Sequence, residues 1–217
     1  MKKLSILVSI ILVAASFTFA QAPKAAATPQ KQTKILIETE YGNMTAILYN
    51  ETPQHRDNFL KLVKQGWYNG SIFHRVINKF MIQGGGQEGK MNDPGYTVPA
   101  EINPKYFHKK GALAAARKPD QVNPNKASSG SQFYIVQGQK MNDQQLGIFE
   151  SQTKKIINPE RRAVYKSIGG TPHLDDDYTV FGEVISGLEV VDKIAAVQTG
   201  PGDKPVKDVK MKITVIN

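Results

Sequence analysis

The sequence predicts a mainly β fold: a closed antiparallel eight-stranded barrel capped by two helices, with a helical insertion over residues 138–170. Three observations predict it. Eight short runs are alternating or continuously apolar, and Gly, Asn and Pro clusters separate them. Outside the insertion only two stretches carry helical spacing, one early and one late. No long strand carries the lysine guard of an exposed edge, and closing the sheet removes edges altogether.

Each element has its own local reason. Ile35, Ile37 and Thr39 alternate with Leu36, Glu38 and Glu40, which makes the first strand. Tyr41-Gly42-Asn43 is a turn, and residues 44–49 return as the second strand of a hairpin. Thr52-Pro53 reads as a helix N-cap and first position. Phe59, Leu62 and Val63 follow at helical spacing, and Gly66 ends the helix. Strands are predicted over 72–77, 80–83, 111–117, 133–137 and 180–185. The second capping helix spans 187–197, with Leu188, Val191, Ile194 and Ala195 on one face. Residues 209–216 alternate again as the last strand.

The insertion, 138–170, is polar and holds six basic residues (Lys140, Lys154, Lys155, Arg161, Arg162, Lys166) against three acidic ones. Leu146, Phe149, Ile156, Ile157, Val164 and Ile168 make a narrow apolar stripe. Asn158-Pro159 divides it into two helices. The basic residues do not alternate with a series of aromatics as a nucleic-acid stacking platform requires, so the insertion is read as packed on the domain surface.

The 217 residues are 40% hydrophobic, which suits one cored domain with appendages and excludes a mainly disordered chain. Cysteine is absent, which excludes disulfides, thiolate zinc sites, iron–sulfur clusters and cysteine nucleophiles. The four histidines include no i, i+4 pair, so a His-rich metal site would need distant segments, and no metal is expected. The formal charge of +9 is read as a solvated basic surface; no specific nucleic acid is expected.

Residues 1–20 read as a signal peptide: Lys2 and Lys3, an apolar run over 4–15, then Thr18-Phe19-Ala20 before a cleavage at Gln21. The apolar stretch is short for a span of roughly 20 residues, so cleavage is expected over retention as an anchor. Losing Lys2 and Lys3 takes the charge from +9 to +7. The expectation is export to a periplasmic or other extracytoplasmic space, with no stable membrane insertion afterwards. Residues 21–33, rich in Ala, Pro, Gln and Lys, are expected to be a flexible linker to a domain spanning 34–217.

The stretch Phe73-His74-Arg75-Val76-Ile77, then Phe80-Met81-Ile82-Gln83-Gly84-Gly85, is the most informative. An arginine and an amide beside Phe80 and Met81 would make an apolar pocket with two polar hands, suited to a small apolar ligand bearing a carbonyl or amide. The same pattern also fits a barrel strand whose Arg75 pairs with a carboxylate, and pattern alone admits both.

FHRVI-x2-FMIQGG resembles the cyclophilin family of peptidyl-prolyl cis–trans isomerases, in particular its exported bacterial members. Three later stretches agree in order: Gly111-Ala112-Leu113-Ala114-Ala115-Ala116-Arg117, Ser129-Gly130-Ser131-Gln132-Phe133-Tyr134-Ile135, and LDDDYTVFG from Leu174 to Gly182. Asn58-Phe59, Gly66 and Tyr68 also fit. The resemblance implies that Arg75 is the catalytic arginine, with Gln83 orienting it and holding the peptide together with Gln132. It implies a proline pocket of Phe80, Met81, Tyr134 and Leu174. Ala116 and Arg117 would bind the peptide backbone, chiefly through main chain. His173 stands where many eukaryotic members have a pocket tryptophan and Tyr178 where they have a histidine, so both are placed at the substrate site. Gly86 replaces an aspartate, and Asp176 replaces a turn glycine whose left-handed conformation an aspartate can adopt. The resemblance implies no cofactor, and as partners proline-containing peptides and unfolded polypeptides met by a monomer.

The remaining residues carry blander expectations. His74 packs inside the barrel, His55 is solvated on the polar face of the first helix, and His108 is a surface residue beside Lys109 and Lys110. Trp67 packs at a helix end. Asp175-Asp176-Asp177 is a solvated turn, since it lacks the later glycine and glutamate of a calcium loop. Two other functions compete with an exported isomerase: a module that binds proline peptides with incidental turnover, and a tethered nucleic-acid binder.

Overall fold

The computed structural model describes residues 31–87 and 92–216. The expected signal peptide, and all but the last three residues of the expected linker, lie outside the described residues. The hairpin is β1 (Thr33–Thr39) and β2 (Gly42–Leu48), paired in register from Thr33 opposite Leu48 to Thr39 opposite Gly42. Helix α1 (Pro53–Lys64) follows, then β3 (Ser71–Ile77) and β4 (Met81–Gly84). After the two-residue β5 (Thr97–Val98) come β6 (Ala112–Arg117) and β7 (Ser128–Val136). The insertion forms α2 (Asp143–Thr153) and α3 (Pro159–Ser167). The chain ends with β8 (Val180–Ser186), α4 (Leu188–Ala195) and β9 (Lys210–Ile216).

Eight strands close in the order β4-β3-β9-β1-β2-β8-β6-β7, and β7 returns to β4, every pairing antiparallel. β5 is an extra rung on the start of β7. The sequence reading began β7 at residue 133 and omitted β5. Ser128-Ser129-Gly130 reads as a turn by composition, but pairing with β5 and β6 holds it extended.

Strand alternation builds two apolar layers from the same strands. Leu113, Ala115, Phe133 and Ile135 point into the barrel, where Phe59 and Leu62 of α1 and Val191 and Ile194 of α4 complete the core. Ala112, Ala114, Ala116, Tyr134 and Val136 point outward into a second cluster with Met81, Phe80, Leu174 and Tyr178. That outer layer becomes the wall of the site.

The insertion has its own small core. Asn142 and Gln145 form a reciprocal capping box at the start of α2, each backbone N–H donating to the other's side chain at 2.9 Å. Asn158 accepts from the Arg161 N–H to start α3. Leu146, Ile157 and Tyr165 are buried together against Phe107, Met141 and Phe149. The expected stripe was therefore partly wrong: Ile156 is 90% exposed and Ile168 faces solvent, while Tyr165 takes a core position. The turn between α2 and α3 resets the helical phase, so a stripe counted straight through it assigns the wrong faces.

Three further expectations are corrected. His55 is buried, not solvated: its Nδ1 lies 2.7 Å from Glu101 Oε2 and its Nε2 2.9 Å from Ser128 Oγ. Glu101 also accepts the backbone N–H groups of Gln54 and His55, so it caps α1 from 46 residues away, where Thr52 makes no side-chain cap. His108 is fully buried, not superficial. Asp175 is buried beneath it, so the triple-aspartate segment is only partly a solvated turn; Asp176 is exposed and adopts φ +64° as anticipated. His74 is buried in the barrel wall. Trp67 packs at the end of α1 and donates its indole N–H to the Gly85 carbonyl at 2.9 Å. Gly85 itself sits at φ +112°, where a Cβ would lie 2.3 Å from the Ser131 carbonyl.

Candidate active site

The outer layer of β3, β4, β6 and β7 opens as a cleft of about 220 Å³ lined by Arg75, Phe80, Met81, Gln83, Ala116, Arg117, Tyr134, Leu174 and Tyr178. Arg75 reaches it through a β-bulge. Phe73 points into the core, and the register between β3 and β4 shifts between Phe73 and Arg75, so Arg75 emerges opposite Gln83 on the outer face. Strict alternation would have sent both residues to one side.

The guanidinium of Arg75 is partly exposed at the cleft, and its Nε lies 3.4 Å from Asp203 Oδ2. Asp203 belongs to a short 3₁₀ turn, Pro201–Asp203, that packs on β3. A single long, half-solvated contact leaves most of the guanidinium's five donors facing outward. Gln83 donates to Gln132 Oε1 at 3.3 Å, so these two amides steady each other. Gln132 lines the adjoining, larger cleft of about 650 Å³ with Tyr96, Lys118 and Asn123, and Gln83, Ala116 and Arg117 border both.

Arg117 differs from the expectation that its side chain is incidental. Its Nε donates to the Asp177 carbonyl at 2.7 Å, another donor meets Asp120, and the guanidinium lies 4.5 Å from the Tyr178 ring centre. It braces the cleft wall, which Ala116 and Arg117 both line. His173 is exposed at the rim, its ring 5.2 Å from that of Phe80.

Tyr134 is buried to its hydroxyl, which meets His108 Nε2 at 2.9 Å. Burial pushes its phenol well above the ordinary tyrosine range, so the hydroxyl keeps its proton. Burial would raise the Asp175 carboxyl, but hydrogen bonds from His108 and Tyr165 outweigh it and hold the group below the usual aspartate value. Ionised Asp175 can only accept, so His108 donates to it from Nδ1, and Nε2 shares the remaining hydrogen bond with the Tyr134 hydroxyl. Sequence reasoning missed His108, Asp175 and Asp203. Nothing local marked them: His108 precedes Lys109 and Lys110, Asp175 heads a run of three aspartates, and Asp203 lies 128 residues from Arg75.

His55, Glu101 and Ser128 have the spacings of a nucleophile–base–acid triad. Ser128 is 1% exposed, and the carboxylate is already committed to two backbone N–H groups. It is a structural clamp. Among the described residues no three His, Asp or Glu side chains converge to hold a metal ion, and no helix is long and apolar enough to cross a membrane.

A closed antiparallel barrel with an arginine-tipped apolar cleft on its outer wall defines the class. The chain belongs to the cyclophilin type peptidyl-prolyl cis-trans isomerase/CLD family, whose model matches residues 34–215. It is 37% identical over 188 residues to a candidate peptidyl-prolyl cis–trans isomerase of Staphylococcus saprophyticus, covering 81% of this chain and 87% of that one. It is 38% identical over 183 residues to a candidate bifunctional phosphatase/peptidyl-prolyl cis–trans isomerase of Streptococcus pyogenes, covering 81% of this chain but only 37% of that protein's length. Among solved structures, a Cryptosporidium parvum cyclophilin type isomerase superposes with TM-score 0.65 at 26% identity, covering 86% of this chain and 99% of that one. The same protein in the presence of the dipeptide Ala-Pro matches with TM-score 0.62 at 25% identity over 85% of this chain and 99% of that one.

Proposed function

We propose that this isomerase acts outside the cytoplasm on Xaa-Pro bonds of proline-containing peptides and unfolded polypeptides, as a monomer, and assists the folding of exported proteins. The observation that carries the site assignment is the convergence of Arg75 and Gln83 on the same cleft as Phe80, Met81, Tyr134 and Leu174. Rotating the bond means losing amide resonance, a barrier of roughly 18–20 kcal/mol. At the twisted geometry the proline nitrogen becomes pyramidal and regains its lone pair. A donor aimed at that nitrogen binds the twisted state better than either planar state. Arg75 is that donor, always charged and rigid at its fork. Phe80, Met81, Tyr134 and Leu174 hold the ring while the preceding carbonyl swings, with His173 and Tyr178 at the margin. Gln83, Gln132 and the main chain at Ala116 and Arg117 hold the flanking peptide. The donors are in place before the substrate arrives, so little reorganisation is needed during rotation. No proton is transferred and no covalent bond forms, so no cofactor is called for.

A protease-coupled assay on proline tetrapeptides tests this. Arg75→Ala should lower kcat/KM by about 100-fold or more with an unchanged circular dichroism spectrum. Turnover near that of the parent would remove Arg75 from its role. The export reading rests on the sequence of residues 1–20, and N-terminal sequencing of the protein recovered from its host should begin at Gln21. A chain that still begins at Met1 in the cytoplasm would refute it.

A further inference from the structure

The insertion is joined to the cleft by a continuous chain of buried hydrogen bonds. It starts at Tyr165 in α3, whose hydroxyl donates to Asp175 Oδ2 at 2.6 Å. Arg161, one turn earlier, donates to the same oxygen at 3.3 Å. The other carboxylate oxygen accepts the His108 backbone N–H at 2.9 Å and its Nδ1–H at 3.0 Å. The far nitrogen of that ring takes the Tyr134 hydroxyl. Tyr165 and His108 are 0% exposed, Tyr134 4% and Asp175 5%, so water does not compete for any of these links.

The geometry explains why a tyrosine can stand in the cleft wall. Its ring faces the cleft, while its hydroxyl points back into the wall, where an unpaired O–H would be destabilising. With the hydroxyl tied to His108, the ring is anchored at its distal end and resists tilting. The His108 ring lies nearly parallel to that of Tyr134, at 11°, and edge-on to Tyr178, so the same imidazole supports two cleft residues.

We propose that Tyr165, acting through Asp175 and His108, is a positioning residue for Tyr134, so that the insertion sets the rigidity of the proline cleft without touching substrate. This rests on the isomerase reading of that cleft. A further insertion residue supports the same segment: Lys155 donates to the Asp175 carbonyl at 2.9 Å and to Asp177 Oδ2 at 2.6 Å, between Leu174 and Tyr178 of the cleft.

A double-mutant cycle on the full chain tests it. Tyr165→Phe keeps the ring and its packing and removes only the hydroxyl that begins the relay. It should lower kcat/KM about three- to tenfold when Tyr134 is present and less than about twofold when Tyr134→Phe has already cut the far end. The same fold-change in both backgrounds, or no change in either, would overturn the proposal, because a merely structural role costs stability equally with and without the Tyr134 hydroxyl. Arg161→Gln, which weakens the same carboxylate oxygen, repeats the test should Tyr165→Phe fail to fold. A folded parent chain without turnover would refute the isomerase reading instead. The relay would then be judged by the imidazole ¹⁵N resonances of His108, which should move in both Tyr165→Phe and Tyr134→Phe. Unmoved resonances would refute it.

Discussion

His55 and His108 are both buried in this barrel, and each bridges a carboxylate and a hydroxyl. His55 joins Glu101 to Ser128, and His108 joins Asp175 to Tyr134. In each case the histidine's own backbone N–H also donates to that carboxylate. The two clamps differ in what lies beyond the hydroxyl. Ser128 belongs to the paired, closed start of β7, so the first clamp ends in the fold and ties α1 to the sheet. Tyr134 is a wall of the cleft, so the second ends at the site. The same local chemistry is stabilising in one place and positioning in the other, and what lies beyond the hydroxyl decides which.

Breaking the second clamp should have the largest effect. Asp175→Asn removes the charge from a carboxylate that takes four donors, and leaves Arg161 and His108 imperfectly paired in the interior. A loss of about 3 kcal/mol in urea unfolding, accompanied by reduced kcat/KM, is expected. Full stability and turnover would end the distinction between the clamps. Glu101→Gln is the matching change in the first clamp. It should cost about 1–2 kcal/mol, since an amide can still accept from the α1 backbone, while kcat/KM stays within about twofold of the parent. A tenfold loss of turnover would show that this clamp also reaches the cleft.

Acid should produce the smallest effect, and the first clamp contributes to it through His55. Burial lowers the His55 pKa, against the opposing pull of Glu101; burial together with Arg75 lowers that of His74, and burial lowers that of His173. The unfolded chain then takes up protons from about pH 6.5 downward while the folded chain resists them, so stability falls as pH drops from 6.5. Carboxylates titrate mainly below about pH 4, which leaves pH 6.5 to 5 as the histidine window. The melting temperature should decline across it, and His55→Gln should flatten the decline. A slope unaltered by that substitution would clear His55.

Much of the barrel was readable because strand alternation is a local property. Ile35, Ile37, Met44 and Ala46 repeat every second residue wherever the hairpin folds. The capping residues Asn142 and Asn158 act on backbone three residues away, so the two insertion helices were visible too. Arg75, Phe80, Met81 and Gln83 stood out as one motif because β3 and β4 are joined by a tight turn that keeps them adjacent in sequence. The burial of His55 and His108 was not readable. Each is a polar residue among polar neighbours, and its partners lie 46 and 67 residues away. The bulge that turns Arg75 outward was equally hidden, because one shifted pairing leaves no mark on composition.

By itself, then, the order of residues determined the strands, the helix starts and the arginine-bearing motif, since steric periodicity and capping act within a few residues. Only barrel closure decided which carboxylate meets which histidine, which hydroxyl faces the cleft and which serine is sealed away. Those pairings depend on strands far apart in the chain arriving side by side. Their strength comes from the water excluded once they do.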